Sequence, residues 1–255
     1  MRIRMILADP AGNLTALALT AVAPDQRAQI AARIMRAAAV EQVAFIDEES
    51  LLSPLPRMDM MGGEFCGNAT RAFGLYAAGR RGKEEMRICV SASGAREPVP
   101  VTLDLSRARA LARMPLPFAV ERIEAAGRQI PVVRMEGIAH AVLRGEDPSP
   151  ELARAVLAAM PKEDAQGVLF AQGNRMTPLV YVAATDTCVW ESSCGSGSVA
   201  LAWLLSQGMP DGEHAFSFDE PGGTLEVVVQ RRGGQAAAVT MGGSVALSAE
   251  REIDI

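Results

Sequence analysis

The chain has 255 residues, 49% of them hydrophobic and 22% charged, with a formal net charge of −5. That is enough apolar side chain to build a core, which excludes disorder as the main state. An acidic chain has no general attraction for phosphate backbones, which argues against a nucleic-acid partner. The longest apolar stretches, such as Ala16 to Ala23 and Val199 to Leu205, are too short to span a membrane. No basic segment followed by an apolar one opens the chain, so no secretory signal is expected and a cytoplasmic location is.

In chain order, Met1 to Leu7 and Leu14 to Thr20 read as strands joined by a turn at Pro10-Ala11-Gly12-Asn13. Asp25 to Ala39 carries apolar residues at helical spacing. The apolar run Val43 to Ile46 follows. Residues 67–79 read as a helix entered directly from a Cys-Gly step, and Arg80-Arg81-Gly82-Lys83-Glu84-Glu85 as a solvated turn. Arg87 to Ala92 and Val99 to Leu105 read as strands, Glu151 to Met160 as a helix, and Val168 to Phe170 as a further apolar run. A second helix entered from Cys-Gly covers 195–207. Strands over Leu225 to Gln230 and Ala237 to Met241 follow a tight turn at Glu220-Pro221-Gly222-Gly223.

The chain repeats itself once. Cys66-Gly67-Asn68-Ala69-Thr70-Arg71-Ala72 matches Cys194-Gly195-Ser196-Gly197-Ser198-Val199-Ala200, half a chain length further on. The segment before each cysteine holds a helix and then an apolar run. Arg113-Met114-Pro115 and Thr240-Met241-Gly242 follow the two cysteines at nearly equal distances. On the repeat alone we place a boundary near Leu116-Pro117, giving halves 1–117 and 118–243.

Rare residues narrow the chemistry. Both lysines, Lys83 and Lys162, sit in polar, surface-like contexts, so neither suits a Schiff base. The two histidines and four cysteines show no His-x-x-x-His or Cys-x-x-Cys spacing, which argues against a zinc site and weakens a redox disulfide between Cys66 and Cys194. Cys89 and Cys188 lie on apolar strands and read as core.

Cys66 and Cys194 each stand at a helix entrance, where free N–H groups and the dipole favour the thiolate. If the halves pack face to face, a carboxylate held between the helix starts would have one sulfur on each side of its α-carbon. One thiolate could then remove the α-proton while the other thiol protonates the opposite face, without a cofactor or metal. A protein that binds a small carboxylate without turnover is the alternative from another class.

These residues resemble the diaminopimelate epimerase superfamily of cofactor-independent, two-cysteine racemases. The similarity rests on the turn ending at Asn13, on Cys66-Gly67-Asn68, His140, Cys194-Gly195-Ser196-Gly197, Pro221-Gly222-Gly223 and Met241-Gly242-Gly243. The resemblance implies an α/β (α+β) fold of two pseudo-symmetric halves. Each would be a curved, mostly antiparallel sheet around a central helix, with the active site between them and residues 244–255 returning to the first half.

Diaminopimelate epimerases carry a Glu-Arg pair where Thr185-Asp186 stand. The nearest equivalents of their other clamp residues are Arg57, Ile138 and Gly167, so the clamp for a distal carboxylate is missing. The cysteine motifs of proline and hydroxyproline racemases differ from Phe65-Cys66-Gly67-Asn68, and a related isomerase family with this fold lacks the paired cysteines. Glu41-Gln42-Val43, Phe45-Ile46, Gly63 to Thr70 and Trp190-Glu191-Ser192-Ser193-Cys194 are similar to the histidine racemases of staphylopine-type metallophore pathways.

That similarity implies an amino-acid substrate, histidine first, no cofactor and a homodimer. It makes Cys66 and Cys194 the acid/base pair. Asn13 and Glu41 would contact the substrate, against plain readings as a turn residue and a solvated carboxylate. Gly67, Asn68, Gly195 and Ser196 would donate to the α-carboxylate. Glu64 and Glu191 read as acids favoured by the dipole, and His140 as a satisfied core histidine. Diaminopimelate epimerase or another racemase of the superfamily remains open on the sequence.

Overall fold

A computed structural model describes residues 1–82, 86–183 and 186–255. Lys83, Glu84 and Glu85 of the expected turn lie outside the described residues, as do Ala184 and Thr185, the second of which holds the epimerase glutamate position. The chain divides into two compact units, Met1–Arg113 with Gly242–Ile255, and Met114–Met241.

The first unit opens with β1 (Arg2–Asp9), β2 (Thr15–Ala18), α1 (Arg27–Ala38), β3 (Gln42–Asp47) and β4 (Arg57–Met60). It continues with α2 (Gly67–Arg80), β5 (Arg87–Ala92), β6 (Val99–Asp104) and β7 (Arg109–Arg113). The second unit contains β8 (Ala119–Ala125), β9 (Arg128–Met135), β10 (Ile138–Arg144), α3 (Pro150–Ala159), β11 (Ala165–Gln172), β12 (Arg175–Val182) and β13 (Thr187–Trp190). Then come α4 (Gly195–Leu205), β14 (Gly212–Glu220) and β15 (Gly223–Arg232). β16 (Gln235–Ser244) leads the chain out of that unit, and β17 (Ala246–Leu247) and β18 (Arg251–Asp254) complete the first. The fold is mixed α and β, mostly sheet with few helices.

Alternation explains why β1 to β3 read as apolar runs. Ile6, Ala8, Leu17, Ala44 and Ile46 face one cluster with α2, while Ile3, Met5, Ala16, Val43 and Phe45 face another with α1. A strand covered on both faces needs apolar residues at every position. β2 and β3 are parallel with Thr15 opposite Gln42, and α1 makes the crossover between them. β1 pairs antiparallel with β2, β17 and β18, so the closing segment is stitched onto the first strand.

α2 is buried from Gly67 to Ala78 and packs on β5, β6 and β7. Its small residues permit the close approach: a Cβ on Gly74 would lie 3.0 Å from Val101. A helix buried all round shows no amphipathic stripe. In the second unit, β10 and β11 are also parallel, with His140 opposite Gly167, and α3 crosses between them. α4 packs on β9, β10, β11 and β15 and is buried from Gly197 to Ala202.

Two expectations need correction. Cys89 and Cys188 are exposed rather than core. On β5 the buried positions are Ile88, Val90 and Ala92, so strand alternation turns Cys89 outward. All four residues of β13 are exposed, Cys188 among them.

Candidate active site

Cys66 is the N-cap residue of α2, with extended φ and ψ of −124° and 111°. Its sulfur accepts from the Ala69 N–H at 3.4 Å, and its carbonyl accepts from Thr70 N–H and Oγ1 at 2.9 and 2.7 Å. The thiol therefore does the work that a serine or aspartate does at most helix starts.

A polar chain runs from that sulfur to two other expected site residues. The Gln42 amide Nε2 lies 3.4 Å from Cys66 Sγ and donates to Thr15 Oγ1 at 2.8 Å and Asn13 Oδ1 at 2.6 Å. Asn13 Nδ2 donates to Glu41 Oε2 at 2.8 Å. The parallel register of β2 and β3 sets Gln42 beside Thr15, and the turn before β2 delivers Asn13. That turn uses left-handed backbone at Ala11 and Gly12 (φ 63° and 91°) and is closed by Gly12 N–H onto Asp9 Oδ1. Asn13, Glu41 and Cys66 thus belong to one network, and Gln42 joins them. Glu41 is exposed and Cys66 half-buried.

Gly67 and Asn68 follow on the buried first turn of α2. Asn68 Oδ1 accepts from Arg71 Nε at 3.1 Å, which orients the amide.

In the second unit Cys194 is the N-cap residue of α4, 4% exposed, and its side chain makes no cap hydrogen bond. Its N–H donates to Glu220 Oε2 at 2.6 Å, and Ser198 Oγ donates to Glu220 Oε1. The sulfur stands 3.6 Å from Ser196 Oγ and is hydrogen-bonded to the Glu191 carboxylate. Ser196 Oγ is in turn 2.9 Å from His140 Nε2. A Cβ on Gly195 would lie 2.5 Å from Met241 Cε, and one on Gly197 2.8 Å from Leu169 Cδ2, so this first turn accepts glycine for reasons of packing.

Neither thiol is acidified at rest, contrary to the expectation from the helix starts. Burial pushes Cys66 up, more than the Ala69 N–H, the Gln42 amide and the Asn68 backbone pull it down, and the Glu64 charge adds to the rise. Cys194 is pushed well above the ordinary thiol value, first by burial, then by the charges of Glu191 and Glu220. Desolvation disfavours the charged form of a sulfur and so raises its pKa.

Glu191 thus contacts the Cys194 thiol, which corrects its reading as an acid favoured by the dipole alone. His140 is buried as expected but not satisfied: Nδ1 has no partner among the described residues. Its ring lies across Gly167, where a Cβ would come within 2.1 Å of Nδ1. Burial lowers its pKa to about 3, so the ring is neutral. Of the epimerase clamp positions, Arg57 is paired with Asp59 at 2.8 Å, and Asp186 accepts from the Tyr181 hydroxyl.

Gln42, Ser198, Glu220 and Arg71 are the site neighbours that the sequence did not single out. Gln42 stood inside a matched motif, the one signal that could have found it. The other three touch partners by tertiary contact.

Solved structures share this architecture. A phenazine biosynthesis protein of the PhzF family from Bacillus anthracis aligns over 100% of both chains, with a TM-score of 0.74 at 15% identity. A hydroxyproline epimerase from Agrobacterium vitis, solved with bound trans-4-hydroxy-L-proline, has a TM-score of 0.61 at 14% identity, covering 99% of this chain and 92% of that one. Fold and relatives together define an isomerase of the racemase type.

The family model of the histidine racemase CntK N-terminal domain matches residues 2–253, and the chain belongs to that family. A histidine racemase from Fusobacterium nucleatum subsp. nucleatum is 31% identical over 216 residues, 78% of this chain and 80% of that protein. A histidine racemase from Staphylococcus aureus is 24% identical over 239 residues, 88% of this chain and 87% of that protein.

Proposed function

We propose that the protein racemises free histidine at Cα by a two-base mechanism in which Cys66 and Cys194 exchange protons with opposite faces of the substrate. The observation that carries this reading is the placement of one thiol as the N-cap residue of a buried helix in each unit. The repeat in the sequence and the parallel crossover that α1 and α3 each make support reading the units as related halves.

In this mechanism the α-carboxylate is held by donors of Gly67, Asn68, Gly195 and Ser196 at the two helix starts. The substrate's ammonium brings positive charge to thiols that burial keeps neutral, which favours a thiolate only once substrate is bound. That thiolate takes the α-proton. The electron pair flows into the carboxylate, where the N–H donors stabilise it. The second thiol then protonates the opposite face of Cα. The enzyme ends with its proton on the other sulfur, and no external donor or cofactor is consumed.

Asn13 and Glu41 orient the substrate through its ammonium or its imidazole. An acidic Asp186 disfavours a distal carboxylate there and so favours histidine over diaminopimelate. We attach a homodimeric state, a cytoplasmic location and a metallophore pathway to the same proposal.

Proton NMR of L-histidine in D₂O tests it directly. Loss of the α-proton signal with growth of the D-isomer is expected. Cys66→Ser and Cys194→Ser should each lose about 10²–10⁴ in racemisation rate. Full activity surviving in either variant would overturn the two-thiol step. No exchange with histidine, proline, diaminopimelate or a mixed amino-acid panel would point to a binding protein instead.

A further inference from the structure

We propose that Glu220 is the positioning residue of Cys194: from the end of β14 its carboxylate holds the Cys194 N–H and the Ser198 hydroxyl together and so determines where the Cys194 sulfur stands. The two helix starts are built differently. In α2 the Cys66 sulfur accepts the Ala69 N–H and is itself the cap. In α4 the equivalent sulfur caps nothing. The Cys194 N–H is the group that a glutamate at the third helical position usually satisfies in a reciprocal cap. Here that position is Gly197, where a Cβ would press on Leu169 Cδ2 at 2.8 Å and on Cys194 Sγ at 3.2 Å. A local glutamate has no room, and Glu220 supplies the carboxylate from elsewhere in the fold.

The delivery is specific. Glu220 is 7% exposed and closes the β14–β15 hairpin opposite Gly223. The Gly222 N–H at the tip donates to the Ser192 carbonyl at 2.7 Å, two residues before Cys194. One oxygen of Glu220 receives the Cys194 N–H and the other the Ser198 hydroxyl. With its backbone held in this way, Cys194 Sγ stands against Ser196 and Glu191.

The charged groups bearing on that sulfur are Glu191, from the segment before α4, and Glu220, from β14. His140, from β10, stands behind Ser196 and is neutral. The negative charge beside the sulfur keeps the proton on Cys194 until substrate arrives. The inference rests on the racemase reading for its place in the reaction, but its test needs no turnover.

Full-length protein with Cys66, Cys89 and Cys188 replaced by serine leaves Cys194 as the sole thiol, whose thiolate is titrated by ultraviolet absorbance. Glu220→Gln is expected to lower the Cys194 midpoint by about one pH unit or more. The same substitution in a companion protein retaining only Cys66 should leave that midpoint in place. An unmoved Cys194, or an equal shift at both cysteines, overturns the proposal. Should Glu220→Gln not fold, Ser198→Ala replaces it. Removing the hydroxyl donor leaves the negative charge of the carboxylate less offset, so the Cys194 midpoint should rise, while Ser206→Ala at the far end of α4 should not move it. A Cys194 midpoint that stays or falls in Ser198→Ala also overturns it. A protein that passes this titration yet exchanges no amino-acid proton would keep the positioning role and lose the racemase.

Discussion

At the residue scale the site is a contest between donors and burial. Among the described residues Gln42 is the one side chain that donates to the Cys66 sulfur, and its amide also holds Asn13 and Thr15. Gln42→Leu keeps the volume and removes the donor. The thiolate midpoint of Cys66, read in the Cys66-only protein, is expected to rise, and kcat/KM for histidine to fall by about tenfold, the equivalent of one hydrogen bond to a charged group. A midpoint that stays put would show that Gln42 orders Asn13 and does nothing for the sulfur.

His140 gives a prediction about stability. Its folded pKa, about 3, lies below the 6.5 of an unfolded histidine because burial penalises the charged ring. Between those values the unfolded chain holds the extra proton, so the native state is favoured above about pH 6.5 and loses that advantage as pH falls towards 3. The slope from this group alone is at most about 1.4 kcal/mol per pH unit. Urea unfolding across this range should show wild type losing stability more steeply than His140→Gln, and parallel curves would sink the assignment. That Cys66 and Cys194 stand at helix starts was legible because a repeated Cys-Gly step is rare. The residues that tune them were not, since Gln42 reaches the Cys66 sulfur and Glu220 the Cys194 N–H across chain separations that no spacing rule encodes.

At the element scale, helix starts and turns were easier to read than strands. The sequence placed helices over 67–79 and 195–207, and α2 and α4 begin at Gly67 and Gly195. It assigned nothing to β8, whose Val-Glu-Arg-Ile-Glu run mixes charged residues into a strand that alternates between half-buried and exposed positions. The same alternation misled the reading of Cys89, because apolar neighbours along a strand point to the other face. Local chemistry also departs from preference at the end of α1. Ala39 caps that helix in the left-handed region, φ 53° and ψ 48°, where glycine is the usual residue. The residue is exposed, so a substitution there loses no packing. Ala39→Gly is expected to stabilise the protein by about 1 kcal/mol, the relief of left-handed strain less the added freedom of the unfolded chain. Urea unfolding checks it, and a loss of stability would mean that the cap relaxes at no cost with alanine.

At the scale of the whole molecule, the chain leaves the first unit at Arg113 and comes back to it at Gly242. Sequence repeats suggested a division, but they carried no sign of what anchors the returning segment. Besides its pairing with β1, one anchor is Arg71, fully buried on α2. Its Nη1 donates to the carbonyls of Gly243 and Ser244 at 3.1 and 2.9 Å, and its Nε to Asn68 Oδ1. A buried guanidinium is tolerated only when it is hydrogen-bonded, and here it binds backbone carbonyls of the returning segment. It also couples that anchor to Asn68, beside Cys66. Arg71→Leu should therefore cost about 3 kcal/mol or more, because the buried Gly243 carbonyl, the Ser244 carbonyl and Asn68 Oδ1 all lose a charged donor. The loss should be local first. Hydrogen exchange is expected to quicken over residues 242–255 and over β1, whose partners are β17 and β18. The amides that pair β11 with β12 in the second unit should keep their protection. Equal quickening in both units would mean that Arg71 supports the molecule as a whole. Unchanged exchange in β1 would mean that strand pairing alone holds the returning segment.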